Sequence, residues 1–344
     1  MIASNSKRLA VIRPDAMVWT NEAARVATPG VVRSKQLRAW YAFAIKLAAG
    51  ISLLAFLLWH YDLRSTFRLI WRERPILFAT TVALFVASQL MSALRWQLLA
   101  RLNGIPGRYR EYLAYFFIGM FTNVFVPGVI GGDALRALYL GRRHKRIAGA
   151  VASVMADRGV GLLTLFWFAA VAALCITRVR LPASELRVTL AAGATSLLAY
   201  LAAPLLAMGA SRIGGRFSRL VAPLIPYLRR PISLAPAIVL SAFLQFSLAV
   251  CQYLLGLGLR LEIPLTTFLL IVPITNVIAS LPITINGLGL REATYLVLLG
   301  MAGVSKDQAV ALSILFFAAT LAGGLTGMVP FIVTPMPVDQ PVPA

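Results

Sequence analysis

Residues 123–136 read NVFVPGVIGGDALR. A segment apolar enough for a membrane is broken there by Pro127, Gly128, Gly131 and Gly132, and then carries Asp133 and Arg136. Hydrocarbon cannot hydrogen-bond to irregular backbone, so such a break survives at membrane depth only where protein buries it or water lines it. Pro127 lacks an amide donor and disfavours helix at Val126. Gly131 and Gly132 free the backbone to bend and to bring its amides close to a guest. The pattern predicts that helix restarts near Asp133 as its N-cap. It also predicts a glycine-rich, anion-attracting concavity and a pairing of Asp133 with Arg136 on one helix face.

The rest of the chain places this break in a membrane. Of 344 residues, 59% are hydrophobic and 13% charged, and the mean hydropathy is +0.80. Soluble domains are about 45–50% apolar and about 25% charged. Apolar segments lie at 41–60, 75–100, 112–126, 148–177, 188–209, 233–258, 265–282 and 307–333, and about 20 such residues cross a bilayer as a helix. The fold class is therefore all-α, a polytopic helical membrane bundle of six to eight spans with two broken or re-entrant hairpins. Residues 1–40 form a basic tail, 41–333 the membrane domain and 334–344 a Pro-rich tail expected to lack a packed core. The basic tail has no apolar core and cleavage site of a signal peptide.

The net charge of +21 sits mostly in short loops, which is topology signalling and contact with anionic headgroups. Nucleic acid is not an expected partner. Basic residues also decide between topologies. If every apolar segment crossed with the basic tail inside, Arg142–Arg146 and Arg212–Arg230 would both face outside, against the rule that basic loops stay inside. If 112–141 enters and returns on one side, the basic tail, Arg101–Arg110, Arg136–Arg146 and Arg212–Arg230 share the cytoplasmic side. A second hairpin over 265–303 then enters from the opposite face, leaving six full crossings.

That second stretch reads LPITINGLGLRE at 281–292. Pro282 interrupts it, Gly287 and Gly289 loosen it, and Arg291 and Glu292 follow as a second acid–base pair. Broken segments in both halves of a transporter point to its binding site. A third cluster, ADRGVG at 156–161, puts Asp157 and Arg158 inside an apolar helix. Charges there are expensive and usually face the bundle interior. As neighbours they can also form a structural ion pair that fixes helix register. Gly159 and Gly161 serve either close helix packing or the same site. Arg95 and Trp96 read as interfacial, with Arg95 snorkelling to the headgroups.

Several chemistries are not expected. Cys175 and Cys251 lie in apolar helices without disulfide or metal spacing, and His60 and His144 lack partner ligands, so no metal and no cofactor is expected. No Walker GxxxxGK[ST], HExxH or GxSxG occurs. No soluble stretch is long enough to house a catalytic domain, and the chain does not read as an enzyme.

The ordered set NVFVPGVIGGDALR, ASVMADRGVGLL and LPITINGLGLREA resembles the transmembrane region of the lysylphosphatidylglycerol synthase family, a flippase-like domain, over about residues 40–333. The family pattern falls on Asn123, Pro127, Gly128, Gly131, Gly132, Asp133, Arg136, Asp157, Arg158, Gly159, Pro282, Gly287, Gly289, Arg291 and Glu292. Asn286 departs from it, standing where a small residue is usual. The best-known members add a cytoplasmic aminoacyl-transferase domain. This sequence reaches Ala344 without one, so lysine transfer is not expected of it. The resemblance implies the membrane half, a bacterial inner-membrane protein that moves a lipid between leaflets.

The candidate substrate-binding set is then Asn123, Gly131, Gly132, Asp133, Arg136, Asp157, Arg158, Gly287, Gly289, Arg291 and Glu292. Arg136, Arg158 and Arg291 would meet a phosphate, whose geometry a guanidinium matches. Asp133, Asp157 and Glu292 would neutralise them or take a cationic headgroup or coupling proton. The expected partner is a membrane lipid: an anionic or aminoacylated phospholipid, or a polyprenyl-phosphate carrier. A separate lipid-modifying enzyme could accompany it. The alternatives are a membrane-embedded transferase on a lipid-linked substrate and a non-catalytic scaffold for an envelope-lipid enzyme.

Overall fold

The first described helix runs from Pro75 to Leu102. In this computed structural model the described residues are 75–125, 129–176, 182–212, 222–280 and 289–337. The N-terminal tail, the apolar segment 41–60, Pro127, Gly128, Pro282, Asn286 and Gly287 lie outside them. The described chain runs α1 (Pro75–Leu102), α2 (Tyr109–Phe125), α3 (Val129–Arg143), α4 (Ile147–Cys175) and α5 (Ala183–Arg212). Two short turns flank α6 (Ile225–Arg229), followed by α7 (Ala235–Gly258), α8 (Leu265–Ala279), α9 (Leu290–Met301), α10 (Lys306–Leu325) and α11 (Met328–Val333). No strand occurs among the described residues.

Five stretches are long and apolar enough to cross a membrane: α1, α4, Ala183–Gly209 of α5, Pro231–Gly258 ending α7, and Lys306–Val333 through α10 and α11. At 1.5 Å per residue each spans about 40 Å, more than the roughly 30 Å hydrocarbon core. The other helices are shorter: 17 residues in α2, 15 in α3, 15 in α8 and 12 in α9.

Loop contacts sort the ends. Asn103 after α1 donates to the carbonyls of Gly149 (3.2 Å) and Pro223 (3.0 Å). Arg146 before α4 donates to the Gly104 carbonyl at 3.0 Å. Arg143 and His144, after α3, both come within 3.8 Å of Glu111 at the start of α2. Met336 takes a contact from Arg142 at 3.2 Å. These ends share one face, which carries Arg101, Arg142, Arg143, Lys145 and Arg146 and is the basic face below. The α2–α3 pair thus starts and finishes on it, as the charge pattern predicts. Val124, near the hairpin's end, lies against Gly324, and Gly323 meets Phe85 of α1. About 27 Å of helix still separates Gly324 from Lys306 at the far end of α10, so the hairpin stops inside the bundle.

The second hairpin opens the other way. Ala172 and Leu270 pack with Ile176, Ile274 and Ala302, bringing the end of α4, the body of α8 and the end of α9 together on the far face. α9 packs on α8 and on α10. Its core centres on Phe268, Tyr295, Leu299 and Phe316, whereas the first hairpin packs around Trp96, Tyr112, Leu140 and Val154.

Candidate functional site

Five charged side chains form one continuous chain where α3 meets α1 and α4. Arg158 Nε donates to Asp133 Oδ2 at 2.7 Å, and Asp133 Oδ1 accepts from Arg136 Nε at 3.0 Å. Arg136 Nη2 reaches Asp157 Oδ2 at 3.0 Å, and Asp157 Oδ1 accepts from Arg95 Nε at 2.7 Å. Arg95 Nη1 ends the chain on Ser241 Oγ of α7 at 2.8 Å. Three guanidiniums face two carboxylates, leaving one positive charge in excess. Exposure grades along it: the Arg136 and Asp157 side chains are 3% exposed, Asp133 17% and Arg158 51%. Arg95 lies about 10 Å of helix from the basic-face end of α1, and Asp157 about 15 Å from that of α4.

Close backbone approach puts the charges there. A Cβ on Gly132 would stand 2.1 Å from the Gly119 carbonyl oxygen and 2.6 Å from Asn123 Oδ1. Only glycine lets α2 and α3 come so near. Asn123 Oδ1 accepts from the Gly132 amide at 2.9 Å, which ties α2 to the start of α3. Arg136 then lies over aromatic faces, its Cζ 4.9 Å from the Trp96 ring centroid and 5.1 Å from that of Phe116, an arrangement that favours a desolvated cation. Its Nη1 is buried without a hydrogen-bond partner among the described residues.

Several expectations change here. Helix is already present at Val129, ahead of Asp133, so Gly131 and Gly132 are helical. Gly132 makes a close packing contact with α2, and its amide is already occupied by Asn123. Asp133 pairs with Arg136 as expected. Asp157 and Arg158 do not pair with each other: adjacent residues point about 100° apart on a helix, and each reaches a different partner. Arg95 is not an interfacial snorkel but part of the network. Trp96 is buried, its indole donating to Ser153 Oγ at 3.0 Å. Gly159 packs against nothing among the described residues, since none of their atoms lies within 4 Å of where its Cβ would be. Two members went unrecognised in the sequence. Arg101 was the available signal for Arg95: it marks the headgroup level a turn and a half later, which leaves Arg95 below it. Ser241, a lone hydroxyl in an apolar helix, gives no comparable signal.

The second hairpin holds different chemistry. Gly289, at φ 82°, precedes α9, and its amide donates to Glu292 Oε2 at 2.6 Å. Glu292 Oε1 accepts from Ser313 Oγ of α10 at 2.7 Å, and the residue is 3% exposed. The expected Arg291–Glu292 pairing is therefore replaced. The carboxylate closes the helix start and ties α9 to α10, while Arg291 lies 5.8 Å from the Phe316 ring centroid. Tyr295, one turn on, donates to Gln252 Oε1 of α7. Gly287 falls outside the described residues. Among those described, no group of three or more His, Cys, Asp or Glu is placed to hold a metal.

A membrane protein of the UPF0104 group from Pyrococcus horikoshii is 25% identical over 122 residues. That match covers 35% of this chain and 36% of the relative. The family model for the lysylphosphatidylglycerol synthase TM region matches residues 43–327, which include all five charged members of the network and both hairpins. The chain belongs to the lysylphosphatidylglycerol synthase TM region family.

Proposed function

We propose that this protein is a transporter rather than an enzyme, and that it moves a lipid with an anionic, phosphate-bearing headgroup between bilayer leaflets. The observation that carries the reading is the Arg158–Asp133–Arg136–Asp157–Arg95 chain, with its excess positive charge inside an apolar bundle. Intramembrane charges of this kind mark substrate pathways, and guanidiniums suit phosphate. The basic face is cytoplasmic in this reading, by the distribution of Lys and Arg, and the membrane is the bacterial inner membrane. A phospholipid or polyprenyl-phosphate carrier is the substrate class, and a separate lipid-modifying enzyme would supply or consume it.

The test is a leaflet-asymmetry assay in proteoliposomes, using fluorescent phosphatidylglycerol and a panel of other headgroups. Wild type should move anionic lipid selectively, and Asp133→Asn and Arg158→Gln should abolish the selectivity. Movement no faster than in empty liposomes, for every headgroup, would reject the reading.

A further inference from the structure

The half-exposed end of the network sits in a particular place. Ile147, Val151, Met155 and Leu162 form an exposed apolar stripe along α4 that starts at the basic face. Arg158 and Gly159 lie within that stripe, and Ala134 of α3 is exposed beside Asp133. Arg158 stands about 17 Å of helix beyond Ile147. Arg142–Arg146 mark the headgroup level next to Ile147, so Arg158 is at mid-bilayer depth and too deep for its side chain to reach that level. A cation there is costly unless something polar meets it. Asp133 engages only the Nε of Arg158, leaving both terminal nitrogens without a hydrogen-bond partner among the described residues. Beside them, no described atom comes within 4 Å of a Cβ built on Gly159.

Resting on the transport reading, we infer that the seam between α3 and α4 is a lateral portal. A lipid's phosphate reaches Arg158 there from the bilayer while its acyl chains remain against the Met155–Leu162 stripe. The occupant is chosen by charge: the network is one positive charge in excess, and the free donors form the planar fork that takes two phosphate oxygens at once. The surrounding surface is apolar and therefore suits alkyl chains rather than a free, fully hydrated anion. Asp133 holds Arg158 from behind, so phosphate adds to the existing pair without breaking it. Gly159 keeps room for the group to approach.

Photo-crosslinking tests this in the full chain, solubilised in dodecyl maltoside. Benzoylphenylalanine at Ala134 is illuminated in the presence of either phosphatidylglycerol or diacylglycerol, which share acyl chains and differ in the phosphate. The adducts are read by mass spectrometry. The expected result is a phosphatidylglycerol adduct favoured over diacylglycerol on the order of tenfold, the scale of one charge-assisted contact. Arg158→Gln should remove the preference. Gly159→Leu, which fills the space and leaves every ion pair intact, should remove most of the adduct. Equal adducts with both lipids, a preference unchanged in Arg158→Gln, or an adduct to the chain's own residues 1–74 would each overturn the portal. If anionic-lipid movement in proteoliposomes persists alongside one of those results, the portal fails and the transport reading stands. If movement is absent while the preference is seen, the lipid site stands and the transport reading fails.

Discussion

Arg136 and Asp157 meet at 3.0 Å between α3 and α4, each with a side chain only 3% exposed. Neither is isolated: Asp157 also binds Arg95, and Arg136 also binds Asp133. Two carboxylates each bridge two guanidiniums, so removing the inner members does most harm. Asp157→Ala leaves Arg95 buried without a counter-charge and Arg136 with Asp133 alone, and breaking a buried pair this way costs about 3–5 kcal/mol. Arg158→Gln removes an end member whose partner Asp133 keeps Arg136, and it should cost clearly less than Asp157→Ala. Thermal unfolding of the detergent-purified protein separates the two, and equal losses would show that the chain does not hold the hairpin in place.

Two glycines on neighbouring helices should respond with opposite sign. Gly132→Ala drives a methyl into the Gly119 carbonyl, a backbone atom that cannot swing aside. Overpacking of this kind typically costs about 1–3 kcal/mol. Gly159→Ala meets no described atom within 4 Å and gains helix propensity of roughly 0.5–1 kcal/mol. Melting temperatures of the two variants should move apart from wild type in opposite directions. A tolerated Gly132→Ala would contradict the close approach of α2 and α3.

How much of this was legible in the sequence depends on the range of each contact. The hairpins were legible because chain breaks and loop charges are local properties, and Asp133–Arg136 because a helix fixes what lies three residues away. The network's other links join residues 21, 25, 62 and 146 positions apart. No local rule reaches those distances. Asp157 and Arg158 mislead for the same reason: adjacency in sequence suggests a pair that helix geometry forbids. The glycines of 131–132 were readable as necessary but not as helical, since close packing and backbone bending ask for the same residue. Glu292 was readable as buried chemistry. That its carboxylate serves Gly289 and Ser313 depends on α10 lying alongside.

His144 should make stability pH-dependent from the basic face. It lies in the α3–α4 loop, and burial pushes its pKa below the ordinary value of about 6.5. Glu111, 3.8 Å away, opposes that shift, and Arg143 adds to it. A depressed value means the folded protein prefers the neutral ring. The contribution is therefore complete above pH about 6.5 and is lost as pH falls through the lower folded-state value. Melting temperature should drop on acidification in that window, and His144→Gln should flatten this part of the profile. A wild-type curve that rises towards acid there would mean the Glu111 attraction dominates.

The opposed hairpins make the last prediction. With exposed Cys175 replaced by Ser, single cysteines at Arg101 and Arg143 should label from the same side of the membrane, because α2 and α3 enter and return together. Cysteines at Ser184 and Glu262 should label from the other side, where α5 and α8 begin. Val124→Cys should resist an impermeant maleimide from both sides, since it packs against Gly324 well short of the far end of α10. If α2 crossed alone, Arg101 and Arg143 would label from opposite sides. If α2 and α3 both crossed fully, Val124 would react from the far side. Only a hairpin that turns inside the bundle gives all three results, and only that hairpin carries Asp133 and Arg136 to mid-depth beside Asp157. The same labelling pattern therefore bears on the fold and on the placement of the charges that the transport reading needs.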